Sequence, residues 1–205
     1  MKTRDRILHK SLELFNELGE PNVTTLLISD ELDISPGNLY YHFKSKTDIL
    51  TNLFEWFENE MGALLEAPNT TPDIEDQWFF LHLIFEHIEK YQFLYKDIVH
   101  VLGRHDNIKL RFNKIIQKKR KATLNILKGL EEQGSIEANN DELEALCENI
   151  VLTATFWINY CIVSSNKSLS EDMLARGVYQ VISLVAPFLD KEQRQLLNEL
   201  KKAYL

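Results

Sequence analysis

The residues that interrupt helical periodicity constrain this chain most. Only five prolines and seven glycines occur in 205 residues, and several stand where a helix must begin or stop. Between them, apolar residues recur at three- and four-residue spacing, the period of one helix face. Ile7, Leu8, Ser11, Leu12, Phe15 and Leu18 follow it, predicting a first helix over residues 3–18 with Thr3 as N-cap, and Gly19 and Pro21 ending it. A second helix should open after Thr24 or Thr25 and end near Leu32. Ser35 should cap a third, with Pro36 at its first position, where a missing N–H costs nothing. A fourth should run from Ser45 to about Leu65. The stretch APNTTPD, residues 67–73, reads as a linker. Further helices are expected near residues 73–91, 93–102, 107–132, 141–164, 170–188 and 192–203. No strand pair, repeat or low-complexity tract emerges, so the expected class is all-α. Residues 1–48 form a small three-helix domain and 49–205 a larger helical one.

The pair of short helices around SPGN sets the functional question. Two helices joined by a tight turn form a helix-turn-helix, whose second helix enters the DNA major groove. Such a helix must be held from behind and exposed in front. Leu39 and Phe43, four apart, share one face, and Ile28, Leu32 and Ile34 can back them. That leaves Pro36, Gly37, Asn38, Tyr40, Tyr41 and His42 outward. Asn can bond adenine bidentately, while Tyr and His can bond phosphate or a base edge. Gly37 allows close backbone approach.

A net charge of −8 and a pI near 5.3 argue weakly against nucleic acid for the whole chain, but charge placement matters more. Residues 1–50 carry six Lys and Arg against eight Asp and Glu. Even so, Lys2, Arg4, Arg6 and Lys10 outweigh Asp5, and Lys44 and Lys46 open the fourth helix. A fold bringing residues 2–10 and 44–46 together would make a basic rim, and the start of the fourth helix would offer N–H groups to a phosphate.

The stretch TRDRILHKSLELFNELGEPNVTTLLISDELDISPGNLYYHFKSKTDIL, Thr3 to Leu50, resembles the DNA-binding domain of the tetracycline-repressor (TetR) family. The early Thr, the LF and LG ending the first helix, the TT opening the second, and S-x-G-x-LY-x-HF-x-x-K-x-x-x-L carry the resemblance. It implies that Thr24 and Thr25 approach the DNA backbone and that Pro36, Gly37 and Asn38 lead the recognition helix. It also implies that Tyr40, Tyr41 and His42 contact phosphate or bases, and that Lys46 holds a phosphate. Leu26 stands where some members carry a basic base-reading residue, and Ser29 where alanine is usual. The family implies a homodimer on palindromic double-stranded DNA, a larger ligand-binding and dimerisation domain, and a repressor relieved by a small-molecule effector.

One recognition helix reads few bases, so a two-fold pair is expected on physical grounds too. The apolar helices over 141–164 and 170–188 are the expected interface. The aromatic-rich middle of the chain suggests an apolar or aromatic effector, with Trp78, Phe85, Phe112, Trp157 and Tyr160 as candidate ligand-binding residues. His82 and Glu86, one turn apart, are read as surface residues rather than metal ligands. Lys118 to Lys121, KKRK, reads as a solvated helix face. No catalytic motif and no cofactor signature is present, so an enzyme is not expected. The alternative is a helical interaction adaptor that has lost DNA binding. Cys147 and Cys161, 14 residues apart on one helix, lie about 21 Å apart and cannot bridge. Reduced cysteines, and an opening without a signal peptide's apolar run, suggest a cytoplasmic protein. The apolar run Ile150 to Val163 falls short of the ~20 residues of a membrane span and reads as a buried helix, so no membrane partner is expected.

Overall fold

The structure, a computed structural model, describes residues 1–66, 74–164 and 171–201. The helices are α1 (Thr3–Leu18), α2 (Thr25–Glu31), α3 (Pro36–His42), α4 (Lys46–Glu66), α5 (Ile74–Lys90), α6 (Gln92–Lys96), α7 (Ile98–Arg104), α8 (Asp106–Glu132), α9 (Asn140–Ser164), α10 (Glu171–Val185) and α11 (Lys191–Lys201). Short 3₁₀ turns cover Glu20–Asn22 and Ala186–Phe188. Among the described residues the β pairing is one isolated antiparallel bridge, Ile136 to Leu189. The 67–73 linker lies outside the described residues.

Two local expectations need correction. Lys2, not Thr3, is the N-cap of α1, and no side chain caps it. The helix expected over 93–102 is two helices, because the backbone leaves helical geometry at Asp97 (φ −122°, ψ 32°). The break lets Phe93, Leu94 and Tyr95 be buried from one helix and Ile98 and Val101 from the next.

The chain forms two compact units. The first comprises Met1–Glu60 with Tyr91–Phe112, and the second Met61–Lys90 with Asn113–Leu205. The first unit therefore reaches past residue 48. The cause is an aromatic cluster. Phe57 meets Phe54, Tyr91, Tyr95 and Phe112 with ring centroids 5.4–6.0 Å apart, the last stacked at 11°. Such ring pairs add roughly 0.5–1.5 kcal/mol each beyond the area they bury. Two polar ties fasten the 91–112 segment to the end of α1. Asn16 Oδ1 accepts from the Phe93 N–H at 3.1 Å, and Lys96 Nζ donates to the Asn16 carbonyl at 2.7 Å.

In the second unit α10 packs between α5 and α9. Gly177 makes this approach possible. A Cβ there would stand 2.3 Å from Phe85 Cε1 and 2.6 Å from Trp157 Cδ1. The Trp157 indole is itself fixed, donating to the Met173 carbonyl at 2.6 Å. α9 is long and apolar enough to cross a membrane by length and composition alone. Here one stripe, including Leu143, Leu146, Ile150, Ala154 and Ile158, is buried. The other side of the helix is open in the single chain. Leu152, Phe156, Tyr160 and Val163 are 58%, 41%, 62% and 88% exposed.

KKRK is also not a uniform solvated face. Lys118 pairs with Glu66 at 2.7 Å and Arg120 with Glu148 at 2.6 Å, while Lys119 is buried. Burial pushes the Lys119 ammonium down to about 7. Cys147 and Cys161 are free, buried thiols, and burial raises both.

Candidate nucleic-acid interface

α2 and α3 have seven residues each, too short to persist without help. The sequence supplies that help at their ends. Thr24 Oγ1 accepts from the Leu27 N–H and Ser35 Oγ from the Asn38 N–H, both at 3.1 Å. Each such cap is worth about 1 kcal/mol. Between the helices Asp33 adopts φ 53°, a left-handed conformation that Asp tolerates better than most side chains. The turn closes with Asp33 N–H to the Asp30 carbonyl at 3.1 Å and Ile34 N–H to the Ser29 carbonyl at 3.0 Å. Ser29, fully buried, donates back to the Leu26 carbonyl at 2.8 Å, so its hydroxyl sits where an alanine would without an orphaned polar atom.

The rear of α3 is sealed as its spacing predicts: Leu39 and Ile28 are 0% exposed and Phe43 1%. Leu32 and Ile34 are half-buried. The front is open. Pro36, Gly37 and Asn38 are exposed, and Tyr40 and Tyr41 are 51% and 84% exposed. His42 is half-buried, edge-on to Tyr41 with centroids 5.1 Å apart. Tyr40 is braced by a 3.0 Å hydrogen bond between its hydroxyl and Thr25 Oγ1. That bond ties the start of α2 to the middle of α3. Thr24 is exposed; its capping oxygen accepts through a lone pair, so its O–H can still donate to a phosphate oxygen.

Arg4 links the start of α1 to the end of α3. Its guanidinium lies 5.0 Å from the Phe43 ring centroid and bonds Asn52 Oδ1. Arg4 thus lies beside Phe43, the neighbour of Lys44, and Lys2, Arg4, Arg6 and Lys44 are all exposed. Two other expected members of the basic rim have protein partners. Lys10 pairs with Glu13 at 2.7 Å. Lys46 Nζ stands 3.0 Å from Glu20 Oε1 and donates to the Glu20 carbonyl at 2.8 Å. Glu20 is only 4% exposed, and Arg104 approaches its other oxygen at 3.9 Å. The start of α4 is capped as well: Asp48 N–H donates to Ser45 Oγ and Lys44 N–H to Asp48 Oδ2, both at 3.1 Å.

The described candidate ligand residues have different surroundings. The Trp78 side chain lies outside the described residues. Phe112 belongs to the aromatic cluster of the first unit. Phe85 is buried against Gly177 in the second unit. Trp157 and Tyr160 stack at 5.3 Å and border an outer hollow of about 390 Å³ with Leu152, Phe156 and Leu184. A separate apolar cleft of about 80 Å³ opens inside the second unit. It is lined by Gln77, Phe80 and Leu81 of α5, by Thr123, Ile126, Leu127 and Leu130 of α8, and by Ile150, Val181, Ile182, Val185 and Leu189. Sequence reasoning missed it because its lining is mostly aliphatic and has the spacing of ordinary core.

Comparison with known proteins agrees with this geometry. A family model described as bacterial regulatory proteins, tetR family, matches residues 7–53, and one described as TetR, bacterial transcriptional repressor, matches residues 56–197. The crystal structure of a TetR-family transcriptional regulator from Marinobacter aquaeolei VT8 is 34% identical, covers 100% of this chain and 99% of that one, and superposes with a TM-score of 0.90. The tetracycline repressor protein class C of Escherichia coli is 32% identical over 77 residues, 37% of this chain and 32% of the repressor. The HTH-type transcriptional regulator AcrR of Shigella flexneri is 32% identical over 63 residues, 31% of this chain and 29% of AcrR. The chain thus aligns with about a third of the length of each of these two curated relatives. With the family models accounting for both the capped helix pair and the helical remainder, the chain belongs to the TetR family of bacterial transcriptional regulators.

Proposed function

We propose that this protein is a homodimeric transcriptional repressor that binds a palindromic operator through α3 and is released by a small apolar effector in its second unit. Residues 1–48 read DNA, and residues 49–205 pair the protomers and house the effector. It works in the cytoplasm and carries out no chemistry of its own. One observation carries the reading: Tyr41 is 84% exposed at the end of a helix whose opposite face is fully sealed. A large aromatic displayed by a rigid support is a poor choice for stability alone and a good one for a phosphate or base edge.

Pro36, Gly37 and Asn38 lead α3 into the major groove, Tyr40, Tyr41 and His42 make the polar contacts, and Thr24 and Thr25 meet the backbone from α2. Lys46 serves mainly as a strut, since two of its three N–H groups already point at Glu20. Lys2, Arg6 and Lys44 supply the nearby charge. The exposed apolar side of α9, with its neighbours on α10, is the two-fold interface. It would be costly to leave in water, and a second copy presents the same self-complementary patch. In an adaptor the exposed tip of α3 would have no role.

The test is selection of duplexes from a random pool, followed by affinity as a function of salt. A repressor of this kind selects an inverted repeat with half-sites about one helical turn, roughly 34–36 Å, or a multiple apart. Its log–log salt slope falls by about 0.9 per phosphate neutralised. Failure to enrich any repeat, with salt-independent association, would refute the proposal.

A further inference from the structure

The cleft in the second unit carries information about what it accepts. Its walls are aliphatic, with Leu127, Ile150 and Val181 among them, and among the described residues Phe80 is the one aromatic ring in its lining. Among the described residues lining it, the polar ones are Gln77 and Thr123, and none is ionisable. The Gln77 carbonyl oxygen, Oε1, is buried and has no hydrogen-bond partner among the described residues.

A buried acceptor without a donor is expensive, and proteins rarely leave one. An ionised ligand group would lose its hydration with no opposite charge to meet. A neutral donor on an otherwise apolar molecule satisfies both constraints. A volume of about 80 Å³ has room for roughly five to eight water-sized groups, the length of a medium aliphatic chain.

We infer that this cleft binds an uncharged, mainly aliphatic molecule whose single hydroxyl or amide N–H donates to Gln77 Oε1. The inference deepens the effector reading above, narrowing the apolar or aromatic ligand class expected from composition to an aliphatic one. Its dependence on that reading is limited to the consequence for DNA; recognition by Gln77 stands on the cleft alone.

The test is calorimetric titration of the full chain with 1-hexanol, hexyl methyl ether, hexanoate and hexylammonium. Wild type should bind hexanol about five- to tenfold tighter than the ether, the factor expected for one hydrogen bond. Both ions should bind at least tenfold more weakly than hexanol. In Gln77→Leu, and in Gln77→Met as a second variant, the preference for hexanol over the ether should vanish while the ether binds at least as well. Equal binding of alcohol and ether by wild type would overturn the inference, as would hexanoate binding tightest or a preference surviving both variants. Duplex affinity measured in the same samples separates the two readings. Hexanol binding that depends on Gln77 but leaves the duplex bound sinks the effector role and keeps the cleft assignment. Duplex release by these compounds without any dependence on Gln77 sinks the cleft assignment alone.

Discussion

Replacing Lys46 by alanine separates a strut from a phosphate contact. In the folded chain the Lys46 ammonium meets the carboxylate of Glu20 at 3.0 Å, and Glu20 is 4% exposed. Removing one partner of a fully buried pair costs about 3–5 kcal/mol, because the other charge is left stranded. Two features reduce that here. The Lys46 side chain is 25% exposed, and Arg104 stays within 3.9 Å of the other carboxylate oxygen. A loss of about 1–3 kcal/mol is therefore expected for Lys46→Ala. For a chain of this size each kcal/mol shifts the midpoint by about 2–4 °C, so the melt should fall by roughly 2–12 °C at fixed protomer concentration. Glu20→Gln removes the stranded charge. The double variant should thus lose less than the two single variants together, with a coupling of at least about 0.5 kcal/mol. The salt slope of operator binding should stay where it is. If Lys46→Ala melts with wild type while the slope drops by about 0.9 per protomer, Lys46 holds a phosphate and the strut argument is wrong.

Three further predictions test the second unit. Gly177→Ala should destabilise by about 1–3 kcal/mol through overpacking against Phe85 and Trp157, after recovering about 1 kcal/mol of helix propensity; an unchanged or higher midpoint in thermal melts would contradict the close approach. Phe156→Asp should convert the dimer to a folded monomer in sedimentation velocity and cost operator affinity, whereas a persisting dimer would move the interface off α9. Lys119 is held at about 7 when folded and titrates near 10.4 when unfolded, so between those values the unfolded chain binds the extra proton. Stability should accordingly rise with pH from 7 to 10 relative to Lys119→Met, and parallel urea midpoints across that range would refute it.

What was legible in the sequence was local. Thr24, Ser35 and Pro36 announce two short helices, because capping depends on the next three residues alone. Leu39 and Phe43, one turn apart, announce which face of α3 is sealed. By exclusion they also announce Tyr40 and Tyr41 as displayed. The illegible part was distant or subtractive. The Lys46–Glu20 pair joins residues 26 positions apart, and nothing in either neighbourhood says that a glutamate in a Pro-Asn turn will be buried. The break at Asp97 has no glycine or proline to mark it; tertiary burial on both sides imposes it. Gly177 looks like a weak point in a helix until the rings of Phe85 and Trp157 are placed beside it. The cleft is invisible for the same reason: an aliphatic residue lining a void has the same periodicity as one filling a core. The aromatic residues drew attention as ligand candidates, yet the described ones are spent on a structural cluster, on the Gly177 contact and on the outer hollow beside α9.

The most direct measurement is the affinity of Tyr41→Ala and His42→Ala for the selected inverted repeat, beside their oligomeric state and melting midpoint. The account predicts a loss on the order of tenfold in operator affinity for each, with dimer and midpoint unchanged, since these side chains project from α3 and support nothing behind it. Wild-type operator affinity in both variants would contradict it.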